Sequence, residues 1–237
     1  MEQLANPAWH ALTGPQATIA EGGDQAVRFD PGLSVFAALP DEPTAGSWDA
    51  LARLIGPGGS AALIRADLEP PEGWTELFGG VGVQMAWSGE GVGTDPIDGF
   101  DVVPLGDADV AEMVALVART EPGPFADRTI ELGTYLGARD HADGALVAMA
   151  GQRMRPPGHV EVSAVCTDAA FRGRGLARLL VGMLVEEISA TGDRAILHAA
   201  AGNTGAIRLY ESMGFETVRE LRFAALQAPG QPSEVTG

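Results

Sequence analysis

The chain has 237 residues, 46% of them apolar, and a formal net charge of −17, which excludes wholesale disorder and leaves room for one large domain or two small ones. Every basic residue is an arginine, which excludes a lysine Schiff base, a phosphate-loop lysine and self-acetylation on a lysine side chain. The cations are scattered through an acidic chain, which speaks against nucleic acid and for a neutral or cationic small substrate, or for solubility alone.

From the N-terminus, MEQLANPAWHALTG has neither a basic n-region nor an apolar h-region, so no signal peptide is read. No run of about 18 apolar residues follows, and the protein is expected in the cytoplasm, with no membrane partner. Residues 31–39 read as a strand, 47–56 as a helix ended by glycine, and 60–66 and 81–88 as strands. The chain's 4 tryptophans, Trp9, Trp48, Trp74 and Trp87, all lie in this half. They read as packing residues or, less simply, as an aromatic wall. SGEGVGTDPIDG, residues 88–99, is rich in Gly, Asp and Pro and reads as a linker. It divides an α/β region at 1–95 from a second at 98–237.

In the second region, 102–106 reads as a strand. Asp107 or Asp109 caps a helix whose Val110, Met113, Val114 and Val117 share a face. EPGP stops it. Residues 134–154 read as two strands around an Asp/Gly turn, and HVEVSAVCT (159–167) as a β-branched strand. An amphipathic helix spans 176–189 and a buried strand 195–200. A short helix follows, with Asn203 as N-cap and Gly214 beyond its end, and then a strand over 216–226. The usage, free of lysine and rich in Ala, Gly and Arg, points to a GC-rich bacterial genome. Cys166 is the sole cysteine, so no internal disulfide or cysteine zinc cluster forms. It reads as a small buried residue. The histidines show no metal-ligand spacing, and no metal is expected. His198, at a strand end, reads as structural or substrate-orienting.

FRGRGLA, residues 171–177, lies between a strand and a helix. Its glycines free the backbone to turn, and a helix N-terminus offers unpaired N–H groups to an anion. Alone it reads either as a phosphate cradle or as a helix-starting turn. The dinucleotide fingerprint fails, because Arg178 stands where its third glycine belongs.

The order HVEVSAVCT, Arg-x-x-Gly-x-Ala (172–177), helix, AILHAA, NTGAIRLYESMGF resembles the GNAT superfamily of CoA-dependent N-acyltransferases, over about 98–226. Its wording is similar to the glycine-N-acyltransferase-like bacterial subgroup, and the first half would be a degenerate second copy of the fold. The resemblance implies a central mixed β-sheet flanked by helices, acetyl-CoA or another acyl-CoA as cosubstrate, and direct transfer to a small amine or amino acid. It implies that β-strand-like pairing by Val165, Cys166 and Thr167 holds the pantetheine arm, and that N–H groups of Arg172, Gly173, Arg174, Gly175, Leu176 and Ala177 hold the pyrophosphate. Asn203 would border the arm. It further implies Glu161 as general base and Tyr210 as the acid that protonates the departing thiolate. A CoA-binding module without catalysis and an acetyltransferase of protein N-termini or side chains are the alternatives. A homodimer is compatible with the sequence.

Overall fold

The computed structural model describes residues 2–89 and 93–230. After a 3-10 turn at Glu2–Ala5 come α1 (Pro7–Leu12), β1 (Ala20–Gly22), β2 (Val27–Phe29), β3 (Ala37–Ala38), α2 (Ala45–Ile55), β4 (Ser60–Arg65) and β5 (Thr75–Trp87). The chain continues with β6 (Phe100–Pro104), α3 (Val110–Thr120), β7 (Tyr135–Asp140), β8 (Leu146–Gln152), β9 (His159–Thr167), α4 (Leu176–Ala190), β10 (Arg194–Ala200), α5 (Thr204–Glu211) and β11 (Phe215–Gln227).

The ends of these elements have local causes. A capping box of Thr44 and Ser47 starts α2, and Gly56, with φ of 82°, ends it. Asn203 accepts from the Ala206 N–H at the start of α5. Glu121 takes the left-handed conformation after α3, ahead of Pro122 and Pro124. The buried stripe of α3 is rotated from the expected one, with Met113 and Leu116 inside. The strand expected over 31–39 is short, confined to Ala37–Ala38, because a turn occupies the preceding residues. Residues 90–92 of the expected linker lie outside the described residues.

β4 to β11 form one 8-stranded mixed sheet, in the order β4-β11-β5-β10-β9-β8-β7-β6, and β1 to β3 form a separate 3-stranded sheet. The position of β5 governs the architecture. It lies between β10 and β11, which follow each other in the chain, and pairs with β11 from Trp87↔Phe215 to Thr75↔Gln227. The division expected at 95/98 therefore does not separate two sheets: the first half supplies an interior strand to the sheet of the second.

Helices cover both faces of that sheet. On one, Leu176, Leu180, Leu184 and Ile188 of α4 pack with Ala148, Val160, Val162 and Leu197. On the other, Met113 and Leu116 of α3 pack with Tyr135, Met149 and Cys166. The N-terminal segment covers the rest of this second face, where Phe29, Leu33 and Phe36 pack with Met154 and Leu221. Gln16 fastens it there. Its amide donates to the Arg153 carbonyl at 2.8 Å and accepts from the Arg155 N–H at 2.9 Å. Thr129 Oγ1 donates to the Leu33 carbonyl at 2.8 Å, and Arg128 pairs with Asp30 at 2.9 Å.

Shared strands and a buried seam imply one cooperative unit. All the tryptophans precede the linker, so their fluorescence reports the first half, whereas far-UV circular dichroism weights α3, α4 and α5. The two urea transitions should coincide. A tryptophan transition well ahead of the circular dichroism one would mean two separable units.

Candidate active site

β10 pairs with β9 in parallel from Arg194↔His159 only as far as Leu197↔Val162. The cause of the parting lies on β9. Against β8, Ser163 pairs with Gly151 and Cys166 with Met149, so Ala164 and Val165 together face one residue, Ala150. Such a bulge bends its strand and re-aims the backbone. Ala164 takes a φ of 53° to accommodate it, an uncommon value for a residue with a Cβ. Beyond the bulge β10 continues along β5, through His198↔Gln84 to Ala200↔Gly82. Residues 163–167 of β9 and 198–200 of β10 then face each other across a cleft of about 1460 Å³. An extended ligand could add itself to such a strand edge by backbone hydrogen bonds.

FRGRGLA sits at one end of this cleft. Gly173 and Gly175 have φ of 78° and 85°, which glycine adopts without a steric penalty. A Cβ on Gly173 would meet nothing within 4 Å, and one on Gly175 would meet only Ile97 Cδ1 at 3.4 Å. Backbone conformation, not space, thus requires glycine. Gly175 precedes α4 with no side-chain cap, so the first-turn N–H groups are left for solvent or a ligand. The arginines around them are held by the protein itself. Arg172 Nε donates to the Thr167 carbonyl at 3.2 Å, Arg174 stacks on Phe171 at 5.1 Å and Phe100 at 5.7 Å, and Arg178 bonds Ser212.

Glu161 points to the face opposite Val160 and Val162, where it is 1% exposed. The β8–β9 hairpin sets Arg153 beside it through the Arg153 N–H to Glu161 carbonyl bond of 3.1 Å. Arg153 then grips the carboxylate with Nε at 2.9 Å and Nη2 at 2.7 Å, and the Met154 N–H adds a bond of 3.3 Å. On the other side His198 Nδ1 lies 2.7 Å from Glu161 Oε1, and His198 Nε2 lies 2.9 Å from the Gln84 amide nitrogen. An ionised carboxylate only accepts, so His198 Nδ1 carries a proton that points at Glu161, and with the Gln84 amide so placed Nε2 accepts from its nitrogen. Arg153, Glu161, His198 and Gln84 thus form a polar strip across the sheet. Burial alone would raise the Glu161 pKa, but the charge of Arg153 and the hydrogen bonds from His198 and Arg153 outweigh it and hold the carboxylate well below its usual range. A carboxylate so occupied has little capacity to take a proton from an amine. The expectation that Glu161 serves as a free base is thereby altered, for a reason that lies in its partners.

The other expected residues divide by setting. Tyr210 lines the cleft, packed edge-on against Phe215 at 5.9 Å, and burial pushes its pKa up to about 12. Asn203 also lines the cleft, as do Val165, Thr167, Leu176 and Ala177. Cys166 is buried and burial raises its pKa, which makes it a poor nucleophile. The tryptophans lie elsewhere. Trp48 and Trp74 pack on each other at 5.1 Å in a core cluster, and the cleft's aromatic side chains are Phe29, Phe36, Phe78, Phe171, Tyr210 and Phe223. Among the described residues no group of His, Cys, Asp and Glu could hold a metal ion, and no helix is long and apolar enough to cross a membrane.

Known proteins share this fold. A GNAT-family acetyltransferase structure from Novosphingobium aromaticivorans DSM 12444 is 38% identical and superposes with a TM-score of 0.84, covering 97% of this chain and 99% of that one. The N-alpha-acetyltransferase RimI of Mycobacterium tuberculosis is 36% identical over 116 residues, which are 46% of this chain and 71% of RimI. This chain belongs to the GNAT family of N-acetyltransferases. The FR47-like protein family profile matches residues 135–224 of the GNAT chain. A GCN5-related N-acetyltransferase from Kribbella flavida, 19% identical with a TM-score of 0.64 over 94% of this chain, has the same fold. GNAT acetyltransferases use acetyl-CoA as cosubstrate.

The strip makes stability pH-dependent. Glu161 is depressed in the folded state, so its contribution is complete above the ordinary glutamate pKa and is lost as pH falls toward the native value. Glu161→Gln leaves Arg153 without its counter-charge and should cost about 3–5 kcal/mol at pH 7. In urea titrations the wild type should lose stability between about pH 5 and 3 more steeply than the variant.

Proposed function

We propose that this GNAT enzyme transfers the acetyl group of acetyl-CoA directly to the amine of a small molecule, within the cleft between β9 and β10. The observation that carries the reading is the continuity of the cleft. One channel joins the uncapped α4 N-terminus, the open edge of β9 and Tyr210. The residues suit acetyl-CoA: N–H groups of 172–177 would take its pyrophosphate, and Val165, Cys166 and Thr167 would pair with the pantetheine arm, with Asn203 beside it. Attack by the amine forms the amide bond and breaks the carbon–sulfur bond, and the thiolate then takes a proton from Tyr210. With a pKa near 12, Tyr210 remains protonated across the physiological range.

Proton removal from the attacking amine is assigned to the Glu161–His198 couple rather than to Glu161 alone. His198 Nε2 is the one lone pair in the strip that can take a proton. For this the Gln84 amide turns away from Nε2, a water carries the amine's proton to the freed lone pair, and the ionised Glu161 steadies the resulting imidazolium. Acetylation of protein N-termini is the second reading, favoured by the likeness to RimI. The segment 29–36, fastened over the cleft by Thr129 and Arg128, favours the small molecule.

Tyr210→Phe should lower kcat roughly 100-fold or more and leave CoA affinity unchanged, measured by thiol release and calorimetry. A variant that turns over normally would remove Tyr210 from the chemistry, and a wild type with no turnover would leave a CoA-binding module. Gly175→Val should weaken CoA binding more than Arg174→Ala, since the first disturbs the backbone donors and the second only a stacked side chain. Equal weakening would shift the anion's recognition to the arginines.

A further inference from the structure

Beyond the polar strip the cleft continues, away from FRGRGLA, over β5, β11 and β4, where Gly82, Phe78, Phe223 and Ile64 line it. The sheet order β4-β11-β5-β10-β9 puts this stretch on the far side of β10 from the β9 edge proposed for the pantetheine arm. The cosubstrate groove leaves it open. Its floor is built to lay an aromatic ring flat. Phe223 pairs directly across from Gly80. A Cβ on Gly80 would lie 3.2 Å from Phe223 Cζ, and one on Gly82 would lie 3.7 Å from Phe223 Cδ1. The ring therefore rests along β5 over glycines. Phe78 extends the floor, with ring centroids 5.6 Å apart. The roof comes from the first half: Val35 and Phe36 line the same cleft, and the Arg153 guanidinium is stacked on Phe36 at 4.7 Å.

Two features define what this slot takes. Phe78 is 66% exposed and Val35 42% exposed, a large apolar exposure for residues facing one concavity. The cations nearest it are engaged, Arg153 by Glu161 and Arg28 by Glu21 at 2.8 Å, so an acceptor carboxylate finds no ready partner. The roof is fastened to residues 128 and 129, which suits a small molecule better than a protein tail.

We propose that this slot binds the apolar body of the acceptor, and that the acceptor is an uncharged aromatic ring carrying a primary amine on a short alkyl arm. The proposal deepens the acetyltransfer reading and rests on it for the role of the amine. The ring lies between Phe223 and Phe36, and the arm reaches back over the polar strip toward the thioester.

The test uses the full chain with acetyl-CoA and four acceptors: 2-phenylethylamine, ethylamine, phenylalanine and a hexapeptide with N-terminal phenylalanine. Product is identified by mass. Burying the ring should give 2-phenylethylamine a kcat/KM roughly 10- to 100-fold above that of ethylamine, and above those of phenylalanine and the peptide. Gly80→Val, which lifts the Phe223 ring into the slot, should raise the KM for 2-phenylethylamine about 10-fold and leave that for acetyl-CoA unchanged. Phe78→Ala, at an exposed site, should shift it the same way should Gly80→Val fail to fold. Preference for ethylamine, phenylalanine or the peptide would overturn the proposal, as would an unchanged KM in a folded variant. Higher turnover with phenylacetyl-CoA than with acetyl-CoA would assign the slot to the acyl group and also overturn it. Calorimetry of 2-phenylethylamine against the CoA-loaded protein separates the two readings. Binding that Gly80→Val weakens, without transfer to any amine, keeps the slot and removes the acetyltransfer reading; absence of binding removes the slot.

Discussion

The parting of β9 from β10 is the constraint on which the site depends. The strands pair only from Arg194↔His159 to Leu197↔Val162, and the bulge at Ala164 and Val165 then turns β9 away. Buried backbone groups left without partners are costly, so a sheet tolerates such a parting where solvent or a ligand satisfies the exposed edge. The strain at Ala164, with φ of 53°, is of the kind that clusters at working sites. Here it has a visible product, a cleft whose edge is backbone and whose end is a helix N-terminus. Recognition by backbone, as proposed, is compatible with Arg172 and Arg174 being tied to Thr167 and Phe171, and the next arginine, Arg178, to Ser212, because the loop keeps its N–H donors.

The same register that opens the cleft assembles the strip at its floor. Glu161 faces away from α4 because Val160 and Val162 face toward it, and the tight β8–β9 connection brings Arg153 level with it. Burying that charge costs several kcal/mol unless it is paired and hydrogen-bonded. The donors from Arg153, Met154 and His198 meet the requirement. This satisfaction also leaves Glu161 little capacity to act as a free base, and in the proposed mechanism His198 is the exchangeable member. A merely exposed strand glutamate would have been freer to accept a proton, but poorly fixed.

Most of the second half was legible because its signals are local. HVEVSAVCT is a strand over its full quoted length, and Asn203 caps α5 as capping chemistry implies, while the helix ends earlier than expected, with Ser212 as C-cap and Gly214 two residues beyond it. What stayed hidden depends on pairing across distance. The first residues of β5, TELFGG, mix the strand formers Thr75 and Phe78 with Glu76 and two glycines, and their strand pairing is with β11 alone. Arg153 and Gln84 carry no motif. They become site residues through registers that no short stretch encodes, although the β8–β9 hairpin, once its turn is placed, would have brought Arg153 beside Glu161. Trp48 and Trp74 serve as packing residues, the simpler of their two readings. Tryptophan's bulk makes it a core residue as readily as a pocket one, and the wall was built of phenylalanines spread over β2, β5, β11 and the turn before β3.

The first half is structurally continuous with the sheet that carries the cleft. A strand inserted between β10 and β11 cannot be withdrawn without leaving both with open edges, and its glycines are what let Phe223 lie flat. The roof over that ring comes from the same half, fastened by Gln16 and Thr129 to the loops that carry Arg153 and α3. The FRGRGLA end of the cleft draws its backbone from β9 and α4, and the far end from β5, β11 and the N-terminal segment. Changes in the first half can thus alter what enters the far end while the β9 edge and the α4 N-terminus keep their geometry. On the proposed reading, that arrangement would let the acceptor vary without rebuilding the groove.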